Sequence, residues 1–278
     1  MGANSKIEWT DHTWNPWYGC HKVSEGCRNC YMYREMAHYG RDPSHVQRSK
    51  TTFRDPLKWA KVARRKGERY KVFVCSWSDF FIEEADPCRD EAWEIIKQTP
   101  ELTYMILTKR PERLLEELAV VSVNGWITYP FSNIWLGVSV EDQRTADIRI
   151  PLLFQVPSVK RFISCEPLLS ELLISHWFTS SVNSQLGYTI FGLDWVIVGG
   201  ESGPNARPCH PDWVRSIRDQ CIVAGVPFFF KQWGEYLPLE PALEQRGTLA
   251  VEYDRVGRKQ AGAMLDGREW RELPGVLA

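Results

Sequence analysis

The sequence has no run of the roughly 18 to 20 apolar residues that a membrane-spanning helix needs. Its opening Met1-Gly-Ala-Asn-Ser-Lys-Ile lacks the apolar stretch of a secretory signal. An excess of either charge is missing too, since 34 Lys and Arg face 35 Asp and Glu and leave a net charge of −1. A surface coated with phosphate-binding charge is thereby excluded, although a basic patch inside a cleft would not show in this sum. No Gly-x-Gly-x-x-Gly turn marks a dinucleotide site, and no low-complexity segment interrupts the chain. These absences predict a cytoplasmic protein with no membrane partner.

What is present is a folding chain of 278 residues, 44% hydrophobic and 25% charged. That length suits one (β/α)8 barrel, typically about 250 residues, or two smaller domains. Eight cysteines would suit four disulfides, but in a reducing compartment a tight cysteine cluster is more often a metal site or a reactive centre. Thirteen tryptophans are many, and several sit in Gly/Pro-rich segments where core packing explains them poorly.

From residue 71 onward, six short β-branched and aromatic runs recur: 71–75, 103–107, 133–137, 161–164, 194–198 and 227–230. Their starts lie 32, 30, 28, 33 and 33 residues apart, about one strand–helix unit each. Helices between them are placed by punctuation: Asp86-Pro87 leads into 88–97, Pro111 opens 112–119, and Pro211 opens 212–224 before Gly225. Such an alternation closes into a barrel or lies open as a doubly wound sheet; polar residues after every strand and the missing dinucleotide turn favour an α/β fold that is a parallel (β/α) barrel or partial barrel of TIM-barrel type, occupying 1–234 with an N-terminal cysteine loop. A short strand at Lys6–Thr10 and helices near Tyr31–Tyr39 and Pro56–Ala63 are predicted before it. Residues 171–192 read as an insertion. The tail 235–278 is predicted to pack on the same domain, with a hairpin turn at Asp266-Gly267.

The sharpest local signal is Trp14-Asn-Pro-Trp-Tyr-Gly-Cys20 followed by Cys27 and Cys30, a Cys-x6-Cys-x2-Cys loop leading into a helix. Three thiolates on one loop could hold three irons of a cubane cluster and leave the fourth open to an outside ligand. Two plainer readings stand beside it: a structural zinc site completed by His21 or a distant Cys, and buried thiols that hold nothing. Cys75, Cys88, Cys165, Cys209 and Cys221 read as core residues, with Cys75 and Cys165 set apart because they end strands.

In a parallel barrel, functional groups come from the C-terminal ends of the strands. Those positions hold Ser76 and Asp79; Lys109 and Arg110; Glu141; Glu166; Gly199, Gly200 and Glu201; and Lys231 and Gln232. Carboxylates and cations converging on one mouth could neutralise one another, or could bind a cofactor and orient a polar substrate. Glu166, Glu201, Lys109 and Lys231 are the candidate catalytic groups. Gly199-Gly200 permits close backbone approach, and Arg207 could clamp a carboxylate or phosphate as readily as sit at the surface.

Several longer segments carry a resemblance: Thr13-Trp-Asn-Pro with Gly19-Cys20, Gly26-Cys-Arg-Asn-Cys-Tyr31, Leu107-Thr-Lys-Arg110, Trp135-Leu-Gly-Val-Ser139, Ser164-Cys-Glu-Pro167, Val198-Gly-Gly-Glu-Ser202, Phe229-Phe-Lys-Gln-Trp-Gly234 and Leu265-Asp-Gly-Arg-Glu-Trp270. Through them nearly the whole chain resembles the three-cysteine-motif family of phage and bacterial proteins of unknown function. That family in turn resembles the radical S-adenosylmethionine (SAM) enzymes. The resemblance implies a [4Fe-4S] cluster on Cys20, Cys27 and Cys30, and SAM at its open iron, cleaved reductively to a 5′-deoxyadenosyl radical. The spacing differs from the usual Cys-x3-Cys-x2-Cys, and Gly199-Gly-Glu201 follows a later strand than the SAM-binding Gly-Gly-Glu of those enzymes.

The expected function is therefore that of a phage-associated, radical-SAM-like iron–sulfur enzyme. It would act with a reductant on an unknown substrate, for which a nucleic acid or nucleotide is one candidate. The alternative is a zinc-stabilised protein that binds nucleic acid or a protein partner without catalysis, its aromatic loops stacking on bases and Lys109, Arg110 and Lys231 meeting phosphate.

Overall fold

Seven strands make the main sheet: β1 (His12–Trp14), β2 (Tyr70–Val74), β3 (Leu102–Thr108), β4 (Ile134–Ser139), β5 (Lys160–Cys165), β6 (Trp195–Gly199) and β7 (Phe228–Gln232). The computed structural model describes residues 5–275 apart from 6, 119–120, 124–125, 129–130, 157, 179–181, 184–187, 190–191 and 240–250. In the sheet the strands follow one another in chain order from β1 to β7. A doubly wound sheet reverses its order at a switch point, whereas right-handed crossovers that always advance one way produce the winding of a barrel. With β1 and β7 each at an edge, the fold is a parallel (β/α) partial barrel.

All six predicted runs are strands of this sheet, each within two residues of its expected ends. The predicted strand at 6–10 is not. Lys6 lies outside the described residues, Ile7–Trp9 form a turn closed by Thr10 N–H donating to the Ile7 carbonyl, and the strand is His12–Trp14. The Thr10 hydroxyl causes the shift: it accepts from Phe73 N–H at 3.0 Å and donates to the Lys71 carbonyl at 2.8 Å, so a side chain docks this segment on β2 where a backbone ladder was expected.

The helices are α1 (Tyr31–His38), α2 (Asp55–Lys66), α3 (Asp86–Gln98), α4 (Glu112–Glu117), α5 (Gln143–Leu153) and α6 (Pro211–Ala224). Proline in the first turn starts α2, α3 and α6, and Gly67 and Gly225 end α2 and α6 in the left-handed conformation. The predicted end of α4 at Ala119 lies outside the described residues, as does part of the 171–192 insertion.

The chain forms two compact units. The first comprises Met1–Val23, Met32–Val138 and Arg149–Phe162. Its core is aromatic. Trp14 packs edge-on to Phe53 and against Tyr104, and its indole N–H donates to the Phe53 carbonyl at 3.1 Å. Trp17 and Trp93 both pack on Phe80, and the fully buried Arg89 donates to the Phe80 carbonyl at 2.9 Å and to Glu117. The second unit comprises Ser24–Tyr31, Ser139–Ile148 and Ile163–Ala278. There Trp195, Trp233 and Trp270 are buried around β7, and each indole N–H finds a carbonyl in the tail: Glu272, Met264 and Leu265 respectively. The tryptophans that composition left unexplained are thus mostly core residues. The predicted hairpin is present, Leu265 pairing with Arg268 across Asp266 and Gly267, whose φ of 52° and 81° are those of a two-residue primed turn. Among the described residues no helix is long and apolar enough to cross a membrane.

Candidate functional site

None of the eight cysteines is in a disulfide. Cys75, Cys165, Cys209 and Cys221 are buried, and burial pushes their thiols up, to about 12 for Cys209 and well above the ordinary value for Cys75 and Cys165. Strand ends place Cys75 and Cys165, and burial keeps them protonated. Cys20, Cys27 and Cys30 are half-buried and open to solvent.

Cys20 belongs to the first unit, on the loop that follows β1. That loop is stitched to the turn after β2: Gly19 N–H donates to the Trp77 carbonyl at 3.0 Å, the Ser78 hydroxyl to the Gly19 carbonyl at 2.6 Å, and the Asn15 amide to the Ser76 hydroxyl at 3.0 Å. Arg110, at the end of β3, reaches back with one nitrogen 3.7 Å from Cys20 Sγ and another donating to the His21 carbonyl at 3.0 Å. Asp79 orders this region. Its carboxylate accepts from Thr108 Oγ1 at 2.7 Å, from Lys109 N–H at 2.8 Å and from Phe81 N–H at 3.0 Å, and lies 3.3 Å from the Arg110 guanidinium. The predicted site residues Ser76 and Asp79 therefore support the loop that carries Cys20. The half-buried Lys109 ammonium has no partner among the described residues.

Cys27 and Cys30 belong to the second unit, in a one-turn 3-10 helix over Glu25–Cys27 and the residues after it. Two buried carboxylates hold this segment. Glu141, past the end of β4, accepts from the Ser24 hydroxyl, and Gly26 lies so close that a Cβ there would stand 2.4 Å from Glu141 Cγ. Glu201, past the end of β6, is gripped by Arg207 through Nε at 2.9 Å and Nη2 at 2.7 Å, and by Arg207 N–H at 2.9 Å. Asn29, inside the Cys27-x-x-Cys30 stretch, donates to the same carboxylate at 3.0 Å and to the Asn205 carbonyl at 2.7 Å. Arg207 also donates to the Glu25 carbonyl at 3.0 Å. Burial alone would raise the Glu201 carboxyl, but the hydrogen bonds from Arg207 and Asn29 outweigh it and hold the carboxyl below its ordinary range. Arg207 thus clamps a carboxylate of the protein itself. Arg28, Asn29, Asn205 and Arg207 line an open pocket of about 340 Å³ beside the loop.

Glu166, Lys231 and Gln232 meet at the ends of β5 and β7. Lys231 Nζ is 2.8 Å and 2.9 Å from the two Glu166 oxygens, and Gln232 Nε2 lies 3.5 Å from one of them. The close approach permitted by Gly199-Gly200 is taken up by the chain's own atoms: a Cβ on Gly200 would stand 1.9 Å from the Trp233 carbonyl oxygen, and one on Gly199 would press on the Glu166 carboxylate.

Among the described residues, no three His, Cys, Asp or Glu side chains stand as a group that could hold a metal ion. The donor chemistry fits an iron–sulfur cluster all the same. Cys20, Cys27 and Cys30 are solvent-reachable thiols, and a guanidinium N–H points at one sulfur. Sequence reasoning named the thiols and both carboxylates but missed Asn29 and Ser24 as the donors that tie them together. The only signal was that Asn29 sits within the cysteine motif.

The profile of a family described as "Protein of unknown function (DUF5131)" matches residues 4–274. No curated protein matches the chain. Among solved structures, a cysteine-to-serine variant of spore photoproduct lyase aligns with a TM-score of 0.53 at 12% identity, over 83% of this chain and 79% of that one. The same lyase with bound AdoMet and dinucleoside spore photoproduct aligns with a TM-score of 0.49 at 13% identity, over 79% of this chain. The chain spans 63% of the length of that structure. The fold is similar to that of spore photoproduct lyase.

Proposed function

The chain belongs to the DUF5131 family of proteins of unknown function, and from its fold and its thiols we propose that it is an iron–sulfur enzyme of radical SAM type. Cys20, Cys27 and Cys30 would hold a [4Fe-4S] cluster. The observation that carries the reading is three solvent-reachable thiols on the loop after the first strand of a parallel partial barrel, while burial keeps the strand-end thiols protonated. A cluster held by Cys20, Cys27 and Cys30 would supply one-electron chemistry, fed by an external reductant, for the reductive cleavage of S-adenosylmethionine.

The chain's own residues supply position. Arg110 orients Cys20 by its N–H to sulfur and by its hydrogen bond to the next carbonyl. Glu141 and Glu201 fix the segment that carries Cys27 and Cys30 from the ends of two strands, so the sulfurs are set by rigid elements rather than by the loop itself. Lys109 and the Glu166–Lys231 pair are the strand-end groups left to orient a polar substrate. The burial of Trp14 and Trp17 in the core counts against the stacking surface that a nucleic-acid-binding alternative requires.

The test is chemical. Protein purified without oxygen, reduced, and given S-adenosylmethionine is expected to release 5′-deoxyadenosine, and the Cys27→Ala variant to release none. Continued release by that variant at the parent rate, or no release from the parent after cluster loading, would remove the radical step.

A further inference from the structure

Charge that balances over the whole chain is segregated within it. Between Arg48 and Lys71 ten Lys and Arg face two acidic residues, a net charge of +8, so a chain that totals −1 carries −9 elsewhere. Helix α2 presents this charge in order. Pro56, Trp59, Ala60 and Ala63 are its buried face. Arg54 at the N-cap, Lys58, Lys61 and Arg65 follow at steps of four, three and four residues, which sets them in one row on the opposite face, about 17 Å long. All four are exposed.

The protein itself does not neutralise this row. Lys58 has Asp55 at 2.9 Å and Arg54 has Glu91 at 3.1 Å, but Glu91 is shared with Arg48 at 2.6 Å, and the Lys58 and Arg54 side chains stay 74% and 73% exposed. Among the described residues the Lys61 and Arg65 side chains make no ion pair or hydrogen bond. Like charges three and four residues apart on a helix repel, so the row weakens the free chain and gains from an anion outside it.

The make-up of the row selects the anion. A helix that lies on a membrane offers apolar side chains to the lipid, and a protein interface centres on aromatic anchors. None of the exposed large apolar side chains among the described residues is on α2. Single strands are held by aromatic platforms, and RNA by polar contacts to its 2′-hydroxyls. The exposed residues of α2 are Lys and Arg alone. A straight row of cations that reads neither base nor sugar matches the regular phosphates of a duplex.

We propose that the outer face of α2 is a docking surface for the phosphate backbone of duplex DNA, bound without regard to sequence. Arg54, Lys58, Lys61 and Arg65 each meet a phosphate. The surface is separate from the cysteines and stands whether or not the thiols hold iron.

The test is titration of full-length protein into a fluorescent duplex of about 24 base pairs, read by anisotropy between 50 and 200 mM salt. Four phosphate contacts predict a log–log salt slope near −3.6, a loss of about 150-fold over that range. Lys61→Gln/Arg65→Gln is expected to bind at least about tenfold more weakly at 50 mM salt and to halve the slope. Arg258→Gln/Lys259→Gln removes the same charge from exposed residues of the second unit, and is expected to bind within about twofold of the parent. No saturable binding at 50 mM salt, a parental slope in Lys61→Gln/Arg65→Gln, or an equal loss in the control variant would overturn the proposal. So would tighter binding to phosphatidylserine vesicles or to single-stranded RNA than to the duplex. Lys61 and Arg65 have no partner to lose, so their variant is expected to melt no lower than the parent. Should it fail to fold, the unaltered protein decides, a slope shallower than about −2 counting against the surface.

Discussion

A buried carboxylate whose oxygens are both engaged by its own chain holds structure in place. Glu201 is one, taking three bonds from Arg207 and one from Asn29. Arg207→Ala leaves that charge buried with one donor side chain, and is expected to lower stability by about 2 kcal/mol in denaturant unfolding. The same variant frees the segment around Cys27 and Cys30. In metal-free protein their alkylation by a thiol reagent is expected to quicken several-fold while that of Cys20 is unchanged; equal rates at all three would mean that Arg207 does not brace the loop. Gly26→Ala tests the other anchor. A Cβ 2.4 Å from Glu141 Cγ meets a side chain only 1% exposed, with little room to give, so a loss of about 1 to 3 kcal/mol is expected by the same unfolding assay.

At the scale of elements, α6 and the C-terminal hairpin are joined by charge. Arg215 and Arg218 on α6 both bond Asp266 in the hairpin turn. Burial alone would raise this carboxyl, but the two guanidinium groups outweigh it and set it below its ordinary value. With the folded pKa depressed, the contribution to stability is full above the unfolded carboxyl's range, about 3.9, and is lost as pH falls through the lower folded value. Asp266→Asn keeps a residue that tolerates the left-handed turn and removes only the charge. Stability measured at pH 7 is expected to fall by about 1 kcal/mol, and the difference from the parent to shrink toward zero near pH 2. A difference that stays constant across this range would sink the assignment. Elements of this kind were legible where the pattern is local. Apolar runs gave six strands, Pro and Gly gave helix ends, and Asp266-Gly267 gave the hairpin. The first strand was not, because a three-residue segment docked through the Thr10 hydroxyl carries no period to read.

At the scale of the whole molecule, the spacing of the runs foretold a parallel α/β alternation, the polar strand ends and the missing dinucleotide turn favoured a barrel over an open sheet, and the order of seven strands bears that out. The three thiols were legible as a spacing, since their chemistry lies within one short loop. Their supports were not, because Ser24 meets Glu141 across 117 residues and Asn29 meets Glu201 across 172, distances over which no local pattern speaks. The shift of register at the end of β7 that gathers Lys231 and Gln232 on Glu166 was hidden for the same reason. The account rests on what the loop thiols bind, and metal analysis of anaerobically purified protein tests that most directly. It predicts about four irons and four acid-labile sulfides per chain, lost in Cys20→Ala, Cys27→Ala and Cys30→Ala and retained in Cys88→Ala. One zinc per chain without sulfide, or full iron in the three loop variants, would contradict it.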